Sequence, residues 1–242
     1  MITVTTAKIS DRDPVIDVIV RAFSADPVAR WFYPDSQRYA QYFPKFVEAF
    51  AVAAFANGSA DCVDGCAGAA LWLPPGNHPD EMALCTLLQN TIAETDQAEA
   101  FALLEQLENN HPAEPHWYLP LIGVDPAHQG NGYGSALLKY ALERCDREDK
   151  LAYLESSSPK NISLYERHGF ESVGTIQVGK SPTLFPMLRT PRRFARSRKS
   201  CVTVFAAGKQ GGDGCVRGVE VFAREPEIQT AGATDAATEV SR

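Results

Sequence analysis

The stretch VDPAHQGNGYGSALL, residues 124–138, places three glycines within five residues and then continues as an apolar helical pattern. Glycine loses more backbone entropy on folding than any other residue, so such a cluster marks a place where the backbone must approach another group closely. The N-terminus of a helix presents unpaired N–H groups and a positive dipole end, which bind phosphate well. The spacing Q-x-x-G-x-G of Gln129, Gly132 and Gly134, between a predicted strand and a predicted helix, therefore predicts an anion-binding turn.

A dinucleotide-binding turn would have a different glycine spacing. That fingerprint is G-x-G-x-x-G, with an acidic residue about 20 positions later. The glycines of residues 130–134 have another order and spacing, and the strand before them lies far from the N-terminus. The sequence therefore disfavours a nicotinamide dinucleotide site.

Strand and helix patterns alternate along residues 1–190 and predict a mixed α/β domain. Strands are predicted at 2–9, on both sides of an Asp64-Gly65 turn, and at 116–124, 151–158, 171–178 and 183–190. Helices are predicted from Asp13, and over 36–56, 79–110, 132–148 and 158–169.

The predicted strand HWYLPLIGV, residues 116–124, has two unusual features. It shows no alternation of polar and apolar residues, which predicts burial on both faces. It also contains Pro120, which cannot donate a ladder hydrogen bond and is resisted by a regular central strand. Strand pairing is therefore expected to be interrupted near Pro120.

Two groups of aromatic residues in the first half have different interpretations. Phe43, Phe46 and Phe50 recur at helical spacing, which is typical of a core-facing helix stripe. Trp31 and Tyr33 fall in the stretch SADPVARWFYPD, which is predicted to be a loop. Aromatic side chains in a loop are less easily explained by core packing, so they are candidates for a substrate-binding wall.

Composition and charge exclude several function classes. The chain has 242 residues, 45% of them hydrophobic, and a formal net charge of −7. Residues 1–190 carry 14 Lys and Arg against 24 Asp and Glu, which argues against a nucleic-acid partner. No signal-peptide layout and no apolar run near the ~20 residues of a membrane span is found, so a cytoplasmic protein with no membrane partner is predicted.

Two further segments complete the predicted organisation. The close cysteine pair Cys62 and Cys66 in CVDGC fits a hairpin turn, and no second pair accompanies it at ligand spacing, so no metal site is predicted. Residues 191–242 contain a basic run and a small, polar end. This composition predicts a disordered or weakly structured C-terminal tail beyond a domain of residues 1–190.

The glycine-rich turn and a second motif together carry a family resemblance. LIGVDPAHQGNGYGSALL at 121–138, followed by SPKNISLYERHGF at 158–170, resembles the cofactor-binding half of the GNAT superfamily of acetyl-CoA-dependent N-acetyltransferases. Residues 115–189 are also similar to puromycin N-acetyltransferases. The resemblance is strong over about 110–190, looser over 1–75 and absent from the tail. It implies a mixed central sheet of about seven strands flanked by helices, with a splay between the fourth and fifth strands.

The resemblance also implies where acetyl-CoA binds. In GNAT proteins the pantetheine arm of CoA inserts into the splay and bonds the backbone at the end of the fourth strand. The positions that match the cofactor-binding residues of the family are Ile122, Gly123, Val124, Gln129, Gly130, Asn131, Gly132, Tyr133, Gly134, Ser135 and Asn161. Acetyl-CoA is then a co-substrate, and no metal is needed.

The same resemblance assigns catalytic candidates. Tyr165 occupies the position at which the family often places an acid that protonates the departing thiolate. Glu155, on the strand after the cofactor helix, is the first candidate for accepting the proton of the amine or holding its ammonium group. His116 is the second candidate and a possible substrate contact, and a base supplied by water stays an equal alternative. The backbone N–H near Val124 would stabilise the oxyanion.

The sequence therefore predicts an N-acetyltransferase that moves an acetyl group to a primary amine of a small molecule by direct attack in a ternary complex. An antibiotic or other xenobiotic amine is one acceptor class, and ordinary metabolites are another. The alternative from a different class is a non-catalytic acyl-CoA-binding module with a partner-binding tail. A monomer or a homodimer would fit either hypothesis.

Overall fold

The computed structural model describes residues 2–192, which form seven strands and seven α-helices. The strands are β1 (Val4–Thr6), β2 (Ala60–Val63), β3 (Gly68–Leu73), β4 (His116–Val124), β5 (Leu151–Ser156), β6 (Glu171–Ser172) and β7 (Phe185–Arg189). The helices are α1 (Arg12–Ala22), α2 (Pro27–Phe32), α3 (Ser36–Ala56), α4 (Glu81–Thr91), α5 (Glu94–Asn109), α6 (Tyr133–Arg147) and α7 (Pro159–Arg167).

All seven strands belong to one sheet, in the order β1-β2-β3-β4-β5-β7-β6. The pair β4 and β5 is parallel, and the other neighbours are antiparallel. Helix α6 is the crossover between the two parallel strands. This mixed sheet with flanking helices confirms the predicted fold class.

The parallel pair β4 and β5 separates after three residue pairs. The last of them joins Tyr118 to Tyr153, and beyond it β4 and β5 do not pair with each other. On the other side of β4, the register against β3 shifts between Leu71 and Leu73, so β4 contains a bulge at Leu119 and Pro120. Proline is tolerated at bulges, which explains Pro120 inside a central strand. Both the interrupted pairing and the splay between the fourth and fifth strands are confirmed.

Buried and partly buried residues alternate along β4, so the prediction that both of its faces are buried is wrong. Leu119 and Leu121 are buried, whereas Pro120 and Ile122 are only partly buried. The partly buried positions line a cavity that opens beside the strand. A strand with one face in the core and the other in an apolar cavity wall has the same continuous apolar sequence as a strand covered on both faces.

The stretch predicted as a loop between α1 and α3 contains the short helix α2, so that prediction is wrong. The Asp26 carboxylate accepts hydrogen bonds from the backbone N–H groups of Val28 and Ala29, both at 3.0 Å. Pro27 occupies the first helical position, where its missing N–H costs nothing. This cap and proline start the helix, and α3 then begins and ends at the predicted residues.

Several smaller predictions also have outcomes in the structure. β2 and β3 form the predicted hairpin, in which Asp64 and Gly65 have φ angles of 43° and 67°. Residues 193–242 lie outside the described part, so the predicted tail stays a prediction. Within residues 2–192, no helix is both long and apolar enough to cross a membrane.

Candidate active site

A cavity of about 1190 Å³ opens where β4 and β5 part. Its walls come from both of these strands, the N-terminal end of α6, the helices α1–α5 and α7, and the loop between α5 and β4. This is slightly above the ~300–1,000 Å³ of typical small-molecule sites, so the cavity has room for a large ligand. The cavity therefore joins the predicted cofactor turn to the predicted catalytic residues.

The glycine-rich turn forms one end of the cavity. Gly130 and Gly132 have φ angles of +80° and +83°, a conformation that residues with a Cβ atom rarely adopt. Gly132 directly precedes α6. A Cβ built on Gly130 would meet no atom within 4 Å. The turn leaves open space in front of a helix N-terminus, which fits the pyrophosphate of CoA.

Most of the predicted cofactor residues lie together on the cavity wall. Asn131 is the exception, because its side-chain amide donates to the His128 carbonyl at 3.1 Å and closes the turn from outside. Gln129 does line the cavity and also donates to the Val124 carbonyl at 3.2 Å, which ties the turn to the end of β4. The residues on the wall are Ile122, Gly123, Val124, Gln129, Gly130, Gly132, Tyr133, Gly134, Ser135 and Asn161.

Gly123 is also needed for the packing of the fold. A Cβ atom at this position would lie 2.6 Å from the Ala22 Cβ atom and 3.4 Å from the Ile19 Cα atom. The glycine thus permits α1 to pack closely against β4.

The side chain of Ser135 has a partner within the protein, since its hydroxyl oxygen lies 2.7 Å from His168 Nε2. Burial, and then neighbouring arginines, lower the pKa of His168.

The Tyr165 side chain extends from α7 to the cavity wall and is 6% exposed. Burial, and secondly the charge of Asp26, raise the pKa of its phenol. The Asp26 carboxylate also accepts a hydrogen bond from the Ser157 hydroxyl. Tyr165 is therefore a protonated phenol at neutral pH that faces the cavity, as a proton donor must be.

Glu155 lies on β5 at the edge of the splay, and its side chain is 4% exposed. Its Oε1 atom is 3.5 Å from His111 Nε2 and has no hydrogen-bond partner among the described residues. Burial, and then the Glu155 charge, raise the pKa values of the phenols of Tyr118 and Tyr153. A buried carboxylate with one oxygen that accepts no hydrogen bond is a candidate proton acceptor.

His116 begins β4, as predicted, but a second imidazole lies beside it. His116 Nδ1 is 2.8 Å from the Glu114 carbonyl oxygen, and its Nε2 atom is 3.1 Å from His111 Nδ1. Burial lowers the pKa of His116. His111 is not among the residues predicted from the sequence, where its one visible signal is its position five residues before His116.

The structure does not bring Trp31 and Tyr33 to the cavity wall. Tyr33 is buried, and its hydroxyl oxygen lies 3.0 Å from the Thr91 hydroxyl oxygen. Trp31 packs against Phe32, with ring centroids 5.2 Å apart. Tyr33 lies in the core and Trp31 packs against it, partly buried, so the prediction of a substrate wall from these two residues has to be corrected. The phenylalanines that do line the cavity are Phe23, Phe32, Phe43, Phe46 and Phe50.

The sequence pattern of the Acetyltransferase (GNAT) family matches residues 24–170, more than half of the chain. The chain belongs to the GNAT acetyltransferase family. The matched range contains the splayed strands, the glycine-rich turn and Tyr165. Members of this family are acyltransferases that use acetyl-CoA as a co-substrate, and this GNAT protein is an enzyme of that class.

Individual relatives agree with the family assignment. An uncharacterized N-acetyltransferase of Schizosaccharomyces pombe is 26% identical over 208 residues, which cover 79% of this chain and 84% of the relative. A Corynebacterium glutamicum structure, described as histone acetyltransferase HPA2 and related acetyltransferase, is 26% identical, with a TM-score of 0.60 over 80% of this chain and 98% of that one.

Arylalkylamine N-acetyltransferase 2 of Aedes aegypti shares the fold, with 15% identity and a TM-score of 0.57 over 79% of this chain and 99% of that one. These comparisons support the superfamily as a whole. The narrower similarity to puromycin N-acetyltransferases stays a prediction.

Proposed function

We propose that this enzyme transfers the acetyl group of acetyl-CoA to a primary amine of a small molecule, by direct attack in a ternary complex. The observation that carries the proposal is that one cavity joins the open glycine turn, the unpaired edge of β4, Tyr165 and Glu155. When bound, acetyl-CoA supplies a thioester carbonyl and a thiolate leaving group. Membership of an acyltransferase family favours this proposal over a non-catalytic binding module.

The cofactor end of the cavity holds the co-substrate through backbone groups. The segment from Ile122 to Val124 pairs with β3 but has no partner strand on the β5 side, so its main-chain groups on that side, apart from the Val124 carbonyl held by Gln129, are available to bond an amide-containing arm. The glycine turn and the start of α6 receive the pyrophosphate, with Ser135 in the first helical turn and Asn161 across the cavity. The N–H near Val124 is the proposed oxyanion donor.

Tyr165 and Glu155 divide the proton transfers between them. The neutral phenol of Tyr165 donates a proton to the departing thiolate, whose ordinary pKa of about 8.5 makes modest acid help sufficient. Glu155 accepts the proton that the attacking amine must lose, directly or through a water molecule.

The acceptor end of the cavity combines aromatic and acidic side chains. Five phenylalanines supply an apolar wall, and the carboxylates of Asp26, Glu81, Glu108 and Glu155 supply negative charge. Negative charge in a cleft raises the local concentration of cationic ligands. We therefore propose a small primary amine with an apolar or aromatic portion, in preference to a polyamine or a protein lysine.

The function is tested by thiol release from acetyl-CoA with a panel of amines. We expect turnover with 2-phenylethylamine or an aminonucleoside, and a kcat/KM for spermidine that is lower by roughly tenfold or more, because the aromatic wall contributes about 1–3 kcal/mol to an apolar group. Aminoglycosides and amino acids complete the panel. Binding of acetyl-CoA without turnover on any amine would contradict the proposed activity, and a preference for spermidine would contradict the acceptor class.

The cofactor turn is tested with Gly134→Val, in the first turn of α6. A Cβ at Gly134 would meet Leu164 Cδ2 at 3.5 Å and Val124 Cγ2 at 3.9 Å, which are ordinary contacts, so the fold should persist. The added side chain projects at the cavity wall, and overpacking of about 1–3 kcal/mol should weaken acetyl-CoA binding by roughly ten- to a hundredfold.

Ala136→Val is the matched control, because Ala136 lies in the same helical turn and does not line the cavity. Calorimetry should give wild-type affinity for this control. Equal affinities for Gly134→Val and the control, with both proteins folded, would remove the phosphate-binding role of the turn.

A further inference from the structure

The two strands bring four functional side chains to one face of the sheet, just before they separate. Tyr118 of β4 and Tyr153 of β5 form the last parallel residue pair. Side chains two residues apart on a strand lie on the same face, so His116 precedes Tyr118 and Glu155 follows Tyr153 on this face. Glu155 is thus the first side chain of the face beyond the point of separation.

His111 covers this pair of tyrosines from the loop between α5 and β4. The centroid of its ring lies 4.5 Å from the ring centroid of Tyr118, 4.7 Å from that of Tyr153 and 5.2 Å from that of His116. The His111 side chain is 18% exposed. Packing on three rings fixes the orientation of this imidazole, and with it the direction of both ring nitrogens.

Three contacts connect Glu155 to the backbone through the two imidazoles. Glu155 Oε1 lies 3.5 Å from His111 Nε2, His111 Nδ1 lies 3.1 Å from His116 Nε2, and His116 Nδ1 lies 2.8 Å from the Glu114 carbonyl oxygen. A carbonyl oxygen can only accept, so His116 Nδ1 carries a hydrogen. Each of the other two contacts also needs one hydrogen.

Three hydrogen-bonded contacts need three hydrogens, which is one more than two neutral imidazoles and one ionised carboxylate contain. Two neutral imidazoles bring two hydrogens, and an ionised carboxylate brings none. The longest contact, at 3.5 Å, lies at the end that faces the cavity, and Glu155 Oε1 is buried there without a hydrogen-bond partner among the described residues. The third proton completes the chain at this position.

We propose that Glu155, His111 and His116 act as one unit that accepts the proton of the acceptor ammonium group. This inference rests on the proposed acetyl transfer and extends it by naming the base and its two supporting imidazoles. Glu155 is the member that meets the amine, and the histidines are positioning residues that share the proton.

The proton and electron balance is simple. An ammonium N–H bond breaks, and its proton moves to Glu155 and is shared between Oε1 and His111 Nε2, so the net charge of the unit changes from −1 to 0. The amine lone pair forms the C–N bond, the C–S bond breaks, and the thiolate takes the proton of Tyr165. The nitrogen carries two hydrogens after the attack and one in the amide product, so its second proton returns to the Tyr165 phenolate. The unit returns its proton to solvent when the product leaves.

The groups around His116 act on its pKa in both directions. Burial lowers this pKa, and His111 acts in the same direction, while the hydrogen bond to the Glu114 carbonyl and the charges of Glu155 and Glu108 act against them. The phenols of Tyr118 and Tyr153 have raised pKa values and remain neutral. Among the described neighbours, the negative charge of the cluster therefore comes from the carboxylates alone.

The kinetic test is His111→Phe, which keeps a ring of similar size and removes both nitrogens. We expect kcat at pH 7 to fall by roughly a hundredfold, within the ~10²–10⁴ range of a general base, with the KM for acetyl-CoA unchanged. The acidic limb of the kcat/KM profile of the wild type should disappear, leaving a rate that rises with hydroxide concentration.

Tyr140→Phe is the control, because Tyr140 lies on the exposed side of α6, outside the cavity wall, with its hydroxyl oxygen 3.3 Å from that of Thr6. It should keep the wild-type pH profile. In a cycle with Glu155→Gln, the double variant should be no slower than the slower single variant, since the residues act as a unit. Additive losses, or a wild-type pH profile in His111→Phe, would overturn the proposal.

A titration without any substrate separates this inference from the proposed function. Imidazole nitrogen shifts should show the two histidines changing together in one transition, assigned with His111→Phe. Glu155→Gln should move that transition to lower pH by about one unit or more, because the carboxylate charge is lost. An unmoved transition would overturn the shared-proton unit even in an active enzyme, and an inactive wild type would overturn the function alone.

Discussion

Tyr165→Phe is expected to lower kcat by about a hundredfold, the low end of the range for a general acid, while the affinity for acetyl-CoA stays near that of the wild type. The low end applies because a thiolate is already a fair leaving group. The phenol proton is used only as the C–S bond breaks, so its loss affects the transition state and not the bound state. Burial raises the pKa of Tyr165, so kcat of the wild type should not decline through loss of this proton between pH 7 and 9.

Tyr140→Phe is the matched control for removing a phenol oxygen. Tyr140 lies on the exposed side of α6, and its hydroxyl oxygen is 3.3 Å from that of Thr6, away from the cavity. Steady-state kinetics and calorimetry on the two variants give the comparison. Unchanged turnover in Tyr165→Phe would mean that Tyr165 only packs against Phe170, whose ring centroid lies 6.1 Å from its own.

Arg144→Met is expected to destabilise the fold by about 3–5 kcal/mol at pH 8, because it leaves a buried carboxylate unpaired. Asp61 on β2 is fully buried, and its Oδ2 atom lies 2.9 Å from Arg144 Nη2. The guanidinium also lies 4.8 Å from the ring centroid of Trp117. A loss of this size is a large part of the 5–15 kcal/mol that holds a typical domain together.

The loss from Arg144→Met should depend on pH in a defined direction. Burial raises the pKa of Asp61 to about 6 even though Arg144 lowers it, so the folded state favours the protonated acid more than the unfolded state does. Stability from this group is therefore present below pH 4 and is lost as the pH rises through the folded pKa. Without Arg144 that pKa rises further, so urea unfolding should show a smaller loss at pH 5 than at pH 8.

Arg147→Met serves as the control, because Arg147 is exposed in the last turn of the same helix. Its removal weakens only a favourable charge at the helix C-terminus, and we expect a loss of about 0.3–1 kcal/mol. If the loss from Arg144→Met equals that of the control at both pH values, the buried pair does not stabilise the fold.

The cofactor half of the molecule could be predicted because local sequence decides its geometry. The glycines require unusual φ angles, and Pro120 requires a bulge, wherever the chain places them. The pairing of Tyr118 with Tyr153 further explains why Glu155 lies at the splay. These features follow from strand register and backbone conformation, which a motif of fixed spacing determines.

The acceptor half depended on tertiary contacts that the sequence does not display. Helix α2 is only six residues long, and its signal was the pair Asp26 and Pro27 rather than any periodicity. The aromatic residues beside it therefore resembled a loop. His111 lies in a connection between elements, and its contact with Glu155 depends on how that loop folds over β4 and β5.

The parting of β4 and β5 has a consequence for how the free protein unfolds. The segment β5-β7-β6 is joined to the rest of the sheet by three residue pairs, whereas β3 and β4 stay paired along most of their length. Regions with few shared main-chain bonds open at a lower free energy than the whole domain. A ligand arm that bonds both sides of the gap would couple the two parts, so the cofactor would contribute to the cooperativity of folding as well as to the reaction.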